Sequence, residues 1–449
     1  MTFVESRPFR LPAHSMLAAN PWGNKIDHKS KNSLRICLLS YRSNPYSGGQ
    51  GIYIKYLSKA LVEIGHEVDV ISGQPYPELD QRVKLIKLPS LNLFEAENHV
   101  TALEPAHLLS FTDFFEWFSM LTGGFAEPYT FGRRLVYYFK KNKPNYDIVH
   151  DNQSLSYGTL QLQKMGIPLL TTIHHPITSD LRIALANESS WQMRLLIRRW
   201  HSFLKMQKKV VRQLDHLVTV SEASRKDIAN DFKVSEALIK IVPNGIDVDT
   251  FRPSHGGERE SCTIMVTASA DVPLKGLDFL LKAIAEIKDE FPNLKLLVLG
   301  KLKEDGNTAQ LIKKLGIENL VYLYSGLSTE QIVGLYARAT CAVVPSVYEG
   351  FGLPAGEAMA CGVPTITTSG GALPEVVGDS GIIVPTKDYT AIANALRLVL
   401  SDSRLREELG LQARNRILRH FSWAIAADKL TTVYQSIINQ TAPNVFANH

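Results

Sequence analysis

No apolar run in the chain reaches the roughly 18 residues that a membrane-spanning helix needs, which argues against an integral membrane protein. Cysteine is scarce. Cys37, Cys262, Cys341 and Cys361 stand far apart and mostly in apolar stretches, a pattern that favours free buried thiols in a reducing cytoplasm over disulfides or a metal site. A signal-peptide core is missing too. Residues 1–32 are polar and carry Pro8, Pro12 and Pro21, so 1–33 reads as a flexible N-terminal tail and the expected location is cytoplasmic. Nor is there an excess of one charge: a net +5 over 449 residues gives no reason to expect nucleic acid.

What is present is enough chain for two domains of ordinary size, laid out as alternating strands and helices. Strands are expected at 34–39, 68–72, 147–150, 168–173 and 216–221, with a helix at 52–64 and helical stretches between the rest. The turn-rich Val242-Pro243-Asn244-Gly245-Ile246-Asp247 and the polar 253–260 then mark a boundary. The alternation restarts with strands at 263–268, 294–300, 321–324, 341–345, 364–367 and 381–384. Helices are expected at 277–289, 309–315, 354–360, 389–400 and 404–420. Such alternation argues for parallel sheets covered on both faces. The fold class expected is α/β, with two doubly wound, Rossmann-like domains at 34–243 and 244–420, and a terminal segment at 421–449. Ligands of such sheets bind at the C-terminal ends of the strands.

The most informative stretch is Glu349-Gly350-Phe351-Gly352-Leu353-Pro354-Ala355-Gly356-Glu357. An apolar strand leads in and a helix leads out, with Pro354 suited to its first turn. The free N–H groups of that turn suit an anion. A carboxylate beside a phosphate site is electrostatically awkward, so Glu349 and Glu357 need another task. Ionised carboxylates accept pairs of hydrogen bonds, and the vicinal hydroxyls of a ribose or hexose supply them. Together these features suggest a nucleotide sugar. The plainer alternative is a strand-to-helix turn with two solvated glutamates.

Other separated motifs stand beside this one: Ser47-Gly48-Gly49-Gln50-Gly51, Thr171-Thr172-Ile173-His174-His175, Val218-Thr219-Val220-Ser221, the 242–247 turn with Phe251, Lys275-Gly276, and Phe421-Ser422-Trp423. On these motifs, spread from Leu34 to Asn439, the chain resembles the GT-B glycosyltransferases of family 4 (glycosyl transferases group 1), retaining enzymes that use nucleotide sugars. The resemblance implies two domains facing across a cleft, and a last helix that crosses back to the N-terminal domain, for which 423–438 is placed. It implies a UDP- or GDP-linked sugar as co-substrate, no other cofactor and no metal. Asp247-Val248-Asp249 looks like a metal-binding pair but falls in the linker motif. The resemblance also implies roles. Gly48, Gly49 and Gly51 let backbone approach the donor phosphates or the acceptor, His174 lies near the donor sugar, Glu349 holds sugar hydroxyls and Glu357 the ribose. Gly350, Phe351, Gly352 and Leu353 complete the donor loop.

Lys275 is placed to open the first helix after the boundary, where a cation opposes the helix dipole. A bound anion would explain it, since a fixed cation stabilises charge that develops on a leaving phosphate. The family pattern adds an arginine a few residues earlier. Here Ser269 or Ala270 stands in its place, which leaves open an unusual donor or an inactive nucleotide-sugar-binding homologue. A GT-B epimerase or phosphorylase remains a further alternative. A dehydrogenase is disfavoured, because the glycine loop lacks the G-x-G-x-x-G order.

The acceptor, a hydroxyl on a glycan, a small molecule or a lipid-linked sugar, is expected in the first domain. The aromatic run from Phe111 to Phe139 is either an acceptor cleft or core. Residues 194–212 interleave Arg194, Arg198, Arg199, Lys205, Lys208, Lys209 and Arg212 with large apolar side chains. They read either as a surface helix packed on its own sheet or as a peripheral contact with the inner face of a membrane.

Overall fold

The computed structural model describes residues 33–45, 49–93, 105–186, 188–254, 259–268, 272–302 and 306–441. Two sheets organise them, and every strand pairing is parallel. The first contains β1 (Arg35–Ser40), β2 (Glu67–Ser72), β3 (Lys84–Lys87), β4 (Ile148–Asn152), β5 (Leu169–Thr172), β6 (Leu217–Thr219) and β7 (Ile239–Ile241), in the order β3-β2-β1-β4-β5-β6-β7. The second contains β8 (Thr263–Thr267), β9 (Lys295–Leu299), β10 (Val321–Tyr324), β11 (Cys341–Val344), β12 (Thr365–Thr368) and β13 (Ile382–Val384), in the order β10-β9-β8-β11-β12-β13.

Strand order reverses between β1 and β4 in one sheet and between β8 and β11 in the other. Loops leaving neighbouring strands diverge there and open a crevice at the C-terminal strand ends. Those four strands feed, respectively, the glycine loop, Asn152, the segment before Lys275, and the loop of Glu349. Topology alone therefore places the motifs at two facing crevices. β3 and β7 were not anticipated from the sequence. Both are short edge strands, and the two apolar residues of β3, Leu85 and Ile86, are only partly buried, too brief a pattern to stand out.

The central strands are buried on both faces, and the apolar residues of the sheets join those of the covering helices in four clusters. One of these unites the first sheet with the last helix. Trp423, Ala426, Ala427, Leu430, Val433, Tyr434 and Ile437 of the helix Trp423–Thr441 pack with Ile54, Leu57 and Leu61 of the helix Gly49–Glu63. At roughly 1.5–3 kcal/mol for each large apolar side chain buried, this docking is substantial. The chain crosses between the halves twice, and the crossings run side by side: Ile246 N donates to Phe421 O at 2.6 Å. Gly245 is needed there, because a Cβ on it would lie 2.5 Å from Trp423 Cα.

The aromatic run forms two helices, Phe111–Leu121 and Glu127–Asn142. Phe125, Phe131 and Phe139 are core, whereas Phe111, Phe114, Phe118 and Tyr137 are exposed. Residues 194–212 are likewise divided. Leu204, Met206, Val210 and Val211 are buried. Arg194 binds the carbonyls of Leu185 and Glu188, Arg199 binds Thr122 and Ser202, and Arg212 binds Phe232 O. Arg198, Lys205 and Lys209 remain exposed, as do Trp191 and Leu195. No helix among the described residues is long and apolar enough to cross a membrane.

Candidate active site

In the second half, Lys275 lies in a 3₁₀ turn, Pro273–Lys275. It does not itself open the helix: Gly276 is the N-cap and the helix begins at Leu277. Gly276 has φ +63°, and a Cβ there would lie 2.1 Å from Pro345 O. Only glycine lets the turn seat against the end of β11. Val347 N then donates to Leu274 O at 2.8 Å. This brings Lys275 Nζ to 2.7 Å from Glu349 Oε1, and Ser346 Oγ donates to the same oxygen at 2.8 Å. Among the described residues Glu349 Oε2 accepts no hydrogen bond and is the oxygen left for a ligand. The loop is braced from behind by the turn after β12, where Ala372 N donates to Glu349 O at 2.8 Å and Thr368 Oγ1 to Ser346 O.

Beyond it the helix Leu353–Ala360 starts from Gly352 at φ +97°, with Pro354 in the first turn. Ala355 and Gly356 donate back to Gly352 O at 3.0 and 3.2 Å, so the amides at the unsatisfied end are those of Gly352 and Leu353. Phe351 is buried, edge-on to Phe421 at 5.9 Å, and acts as packing. Glu357 is partly buried, and desolvation pushes its carboxyl up to about 8.

The facing half contributes the end of β5. His174 Nε2 lies 2.7 Å from Asn152 Oδ1, and its main-chain N–H donates to Gln153 Oε1 at 2.7 Å. Tyr53 meets its ring edge-on at 4.6 Å. Burial, followed by the neighbouring His175, lowers the imidazole to about 3, so it is neutral at physiological pH. A neutral ring donating Nε2–H to Asn152 keeps Nδ1 as an acceptor. Gly49 begins the helix Gly49–Glu63, and Gly51 is buried against Asn44 O. Gly48 and Ser269 lie outside the described residues.

The halves meet through Gly350, whose carbonyl accepts from Ser221 Oγ at 2.8 Å and Ser224 Oγ at 3.1 Å, and through Tyr348 OH, 2.5 Å from Asp227 Oδ2. Two cavities lie along this seam. One of about 480 Å³ is bordered by Lys275, Glu349, Gly350 and His175. The other, about 270 Å³, is bordered by Gly49, His174, Leu353 and Trp423. Gly51, Phe351, Gly352 and Glu357 border neither. The aromatic run lies elsewhere: Tyr137 and Tyr138 line a separate cavity with Arg133 and Lys141. Asn152, Gln153, Ser346, Asp180 and Glu375 were missed by sequence reasoning. Only the last had a signal, because Gly370-Gly371 after an apolar strand and Pro374 before Glu375 repeat the strand–glycine–proline order of the Glu349 loop.

Asp247 serves its own turn, accepting from Asp249 N, Thr250 N and Thr250 Oγ1 at 3.3, 3.2 and 2.6 Å. No group of three or more His, Cys, Asp or Glu among the described residues is placed to hold a metal.

Comparison with known proteins agrees with this architecture. Residues 47–250 match the family described as Glycosyltransferase Family 4, and residues 249–416 match Glycosyl transferases group 1. The chain is 44% identical to an MMP alpha-(1->4)-mannosyltransferase of Mycolicibacterium hassiacum, over 91% of this chain and all of that one. It is 27% identical to a D-inositol 3-phosphate glycosyltransferase of Corynebacterium jeikeium, over 90% of this chain and 97% of the relative. Among solved structures, sucrose-phosphate synthase from Thermosynechococcus elongatus superposes with a TM-score of 0.66 at 22% identity, covering 91% of this chain and all of that one. Anabaena Alr3699/HepE in complex with UDP gives 0.64 at 16% identity, covering 90% and 100%. With two parallel sheets meeting at their switch points and a relative of that similarity along nearly the whole chain, this protein belongs to the GT-B glycosyltransferases of family 4, the glycosyl transferases group 1.

Proposed function

We propose that the chain is a retaining glycosyltransferase that takes a sugar from a UDP- or GDP-linked donor to a hydroxyl acceptor, and that the sugar is mannose, forming an α-linkage. The observation that carries this reading is the Lys275–Glu349 pair at 2.7 Å, set at one switch point and facing neutral His174 at the other. Lys275, with the amides of Gly352, Leu353 and Gly49, suits the diphosphate. Glu349 Oε2 and His174 Nδ1 are acceptors for sugar hydroxyls, and Glu357 for the ribose. The choice of mannose leans on the mannosyltransferase at 44% identity.

Retention follows if the acceptor attacks the face from which the phosphate leaves. The bond from the anomeric carbon to the phosphate oxygen breaks, the bond to the acceptor oxygen forms, and the acceptor proton passes to the leaving phosphate. Lys275 bears on the negative charge that builds there, with no arginine in the usual place to share it. Fixed donors aimed at developing charge contribute most in a site that excludes water. The test is incubation of the full chain with GDP- and UDP-linked mannose and glucose and a mannoside acceptor, with the product anomer read by NMR. An α-linked mannoside supports the reading. An inverted product, or nucleotide binding without transfer to any acceptor, overturns it.

A further inference from the structure

We propose that His175 and Asp180 form the acceptor's hydroxyl-binding point and restrict acceptors to uncharged, hydroxyl-rich molecules such as a glycan end. The inference rests on the donor placement proposed above, with the sugar between Lys275–Glu349 and His174.

Among the described residues the two cavities along the seam share two at their borders, His175 and Asp180. His175 follows His174 off the end of β5, and Asp180 lies in the helix Thr178–Ala186. Their side chains approach to 3.4 Å, Nε2 to Oδ2, and stay 43% and 50% exposed. The pair therefore stands in solvent reach where the two spaces join, and a molecule entering from solvent to meet a sugar at Glu349 passes it. A half-exposed carboxylate beside an imidazole offers acceptor and donor atoms to hydroxyls.

Charge sets the class of acceptor. Among the described residues the larger cavity is bordered by three carboxylates, Asp180, Asp227 and Glu349, and by two cations, Lys275 and Arg182. Both cations are engaged: Lys275 with Glu349 at 2.7 Å, and Arg182 with Asp231 at 2.9 Å and with Ser179 Oγ. In the smaller cavity Asp180 is the one Asp, Glu, Lys or Arg among the described bordering residues, beside the amides of Gln50, Gln153 and Asn244 and the ring of Trp423. With the donor diphosphate on Lys275 as proposed above, a second anion on the acceptor would face that diphosphate and Asp180, and Arg182, the other cation among the described bordering residues, is paired with Asp231. Like charges in that space repel even with partial screening by solvent. A neutral hydroxyl meets no such penalty and finds acceptors and amides on both sides. Discrimination of this kind works by repulsion as much as by attraction.

The experiment compares methyl α-mannoside with its 6-phosphate as acceptors for wild type, Asp180→Asn and Asp180→Lys. Transfer is followed directly, and acceptor binding by isothermal titration with the nucleoside diphosphate present. Wild type is expected to favour the neutral mannoside by at least about 100-fold in kcat/KM, or to bind it alone. In Asp180→Asn the acceptor KM is expected to rise about tenfold, well beyond any change in donor KM. In Asp180→Lys the ratio of neutral to phosphorylated acceptor is expected to fall. Equal or better use of the phosphorylated acceptor by wild type overturns the proposal, as does an acceptor KM unmoved in both variants. Thermal stabilisation of wild type by nucleotide reports on the donor reading alone, so failure there is distinct from a wrong acceptor ratio.

Discussion

Glu375 caps the helix that begins at Glu222, its two carboxylate oxygens accepting from the Glu222 and Ala223 amides at 2.7 and 2.9 Å. The first residue belongs to the half built on the second sheet, the other to the half built on the first. A negative charge therefore sits on a helix N-terminus across the cleft, an arrangement worth about 0.3–2 kcal/mol. Arg416 holds the carbonyls of Glu375 and Val376 from behind. On the same helix end Ser221 and Ser224 donate to Gly350 O, next to Glu349. Closure of the two halves and placement of Glu349 are thereby linked. Glu375→Ala is expected to lower transfer about tenfold, matching about 1.4 kcal/mol of lost closure, and to enlarge the radius of gyration in X-ray scattering. Unchanged turnover and shape would remove the latch from the mechanism.

Lys275→Ala and Glu349→Ala test the central pair. On the proposed placement each removes a partner to charge or hydroxyls at the reacting centre, and transfer should fall on the order of 10²-fold or more. Lys275→Ala also leaves Glu349 without its counter-charge, so its donor KM should rise as well. Circular dichroism spectra like that of the parent would show that the fold survives. Turnover near normal in either variant would exclude that residue.

On the proposed ribose contact, Glu357 is expected to make donor binding dependent on pH. Its carboxyl is raised from the ordinary 4.5 to about 8 by desolvation, so the free protein holds a proton there at neutral pH. Its stabilising contribution is present below 4.5 and is lost as pH rises through 8. If the carboxylate accepts the ribose hydroxyls, binding releases that proton. Nucleotide affinity measured by calorimetry should then strengthen from pH 6.5 to 8, by up to tenfold per pH unit, and level off above. Glu357→Gln should flatten the profile, and an identical slope in the variant would place the titration elsewhere.

Transfer should persist in EDTA. Asp247 of the Asp-Val-Asp segment spends its oxygens on its own turn, and the proposed phosphate partners are Lys275 and main-chain amides. Activity that vanishes with chelator and returns on titration with Mg²⁺ would overturn that assignment of charge stabilisation.

The sequence revealed the parts of the site that depend on local rules. The 349–357 loop carries its chemistry in contiguous residues, and the apolar strands β1, β5, β8 and β11 end within two residues of where pattern places them. Lys275 and Glu349 were legible one by one, but their pairing depends on Gly276 seating against Pro345, a contact no local pattern reports. The segment 194–212 shows a further limit. Helical spacing displays its apolar and basic faces, but whether Arg199 meets lipid or Thr122 is decided by the helix Phe111–Leu121 that ends beside it. Glu375 stands in a strand–glycine–proline segment that marks a loop, but that signal says nothing of its partner, because a carboxylate that caps a helix in another domain is not told apart in one dimension.

The last helix supplies a test of stability. Tyr434 is fully buried, and its hydroxyl lies 2.6 Å from His150 Nδ1, while His150 Nε2 lies 2.6 Å from Thr172 Oγ1. Burial, followed by His174, lowers the His150 ring from 6.5 to about 3, so the folded protein keeps it neutral where the unfolded chain would protonate it. This contribution is fully present above 6.5 and is lost as pH falls toward 3, at about 1.4 kcal/mol per unit. Between pH 7 and 5 it amounts to about 2 kcal/mol. Asp151 next to it, raised from 3.8 to about 6 by desolvation, has the opposite sign, since its contribution is lost as pH rises. The wild-type profile therefore mixes both with the like-signed contribution of His174, lowered to about 3, and the difference against His150→Asn isolates that of His150. Urea unfolding at pH 7 and pH 5 should show the variant losing about 2 kcal/mol less on acidification than the parent. Tyr434→Phe, which takes one partner from a buried ring, should cost about 1–3 kcal/mol at pH 7. Equal acid losses in parent and His150→Asn would show that the buried His150 does not set the acid limit of the fold.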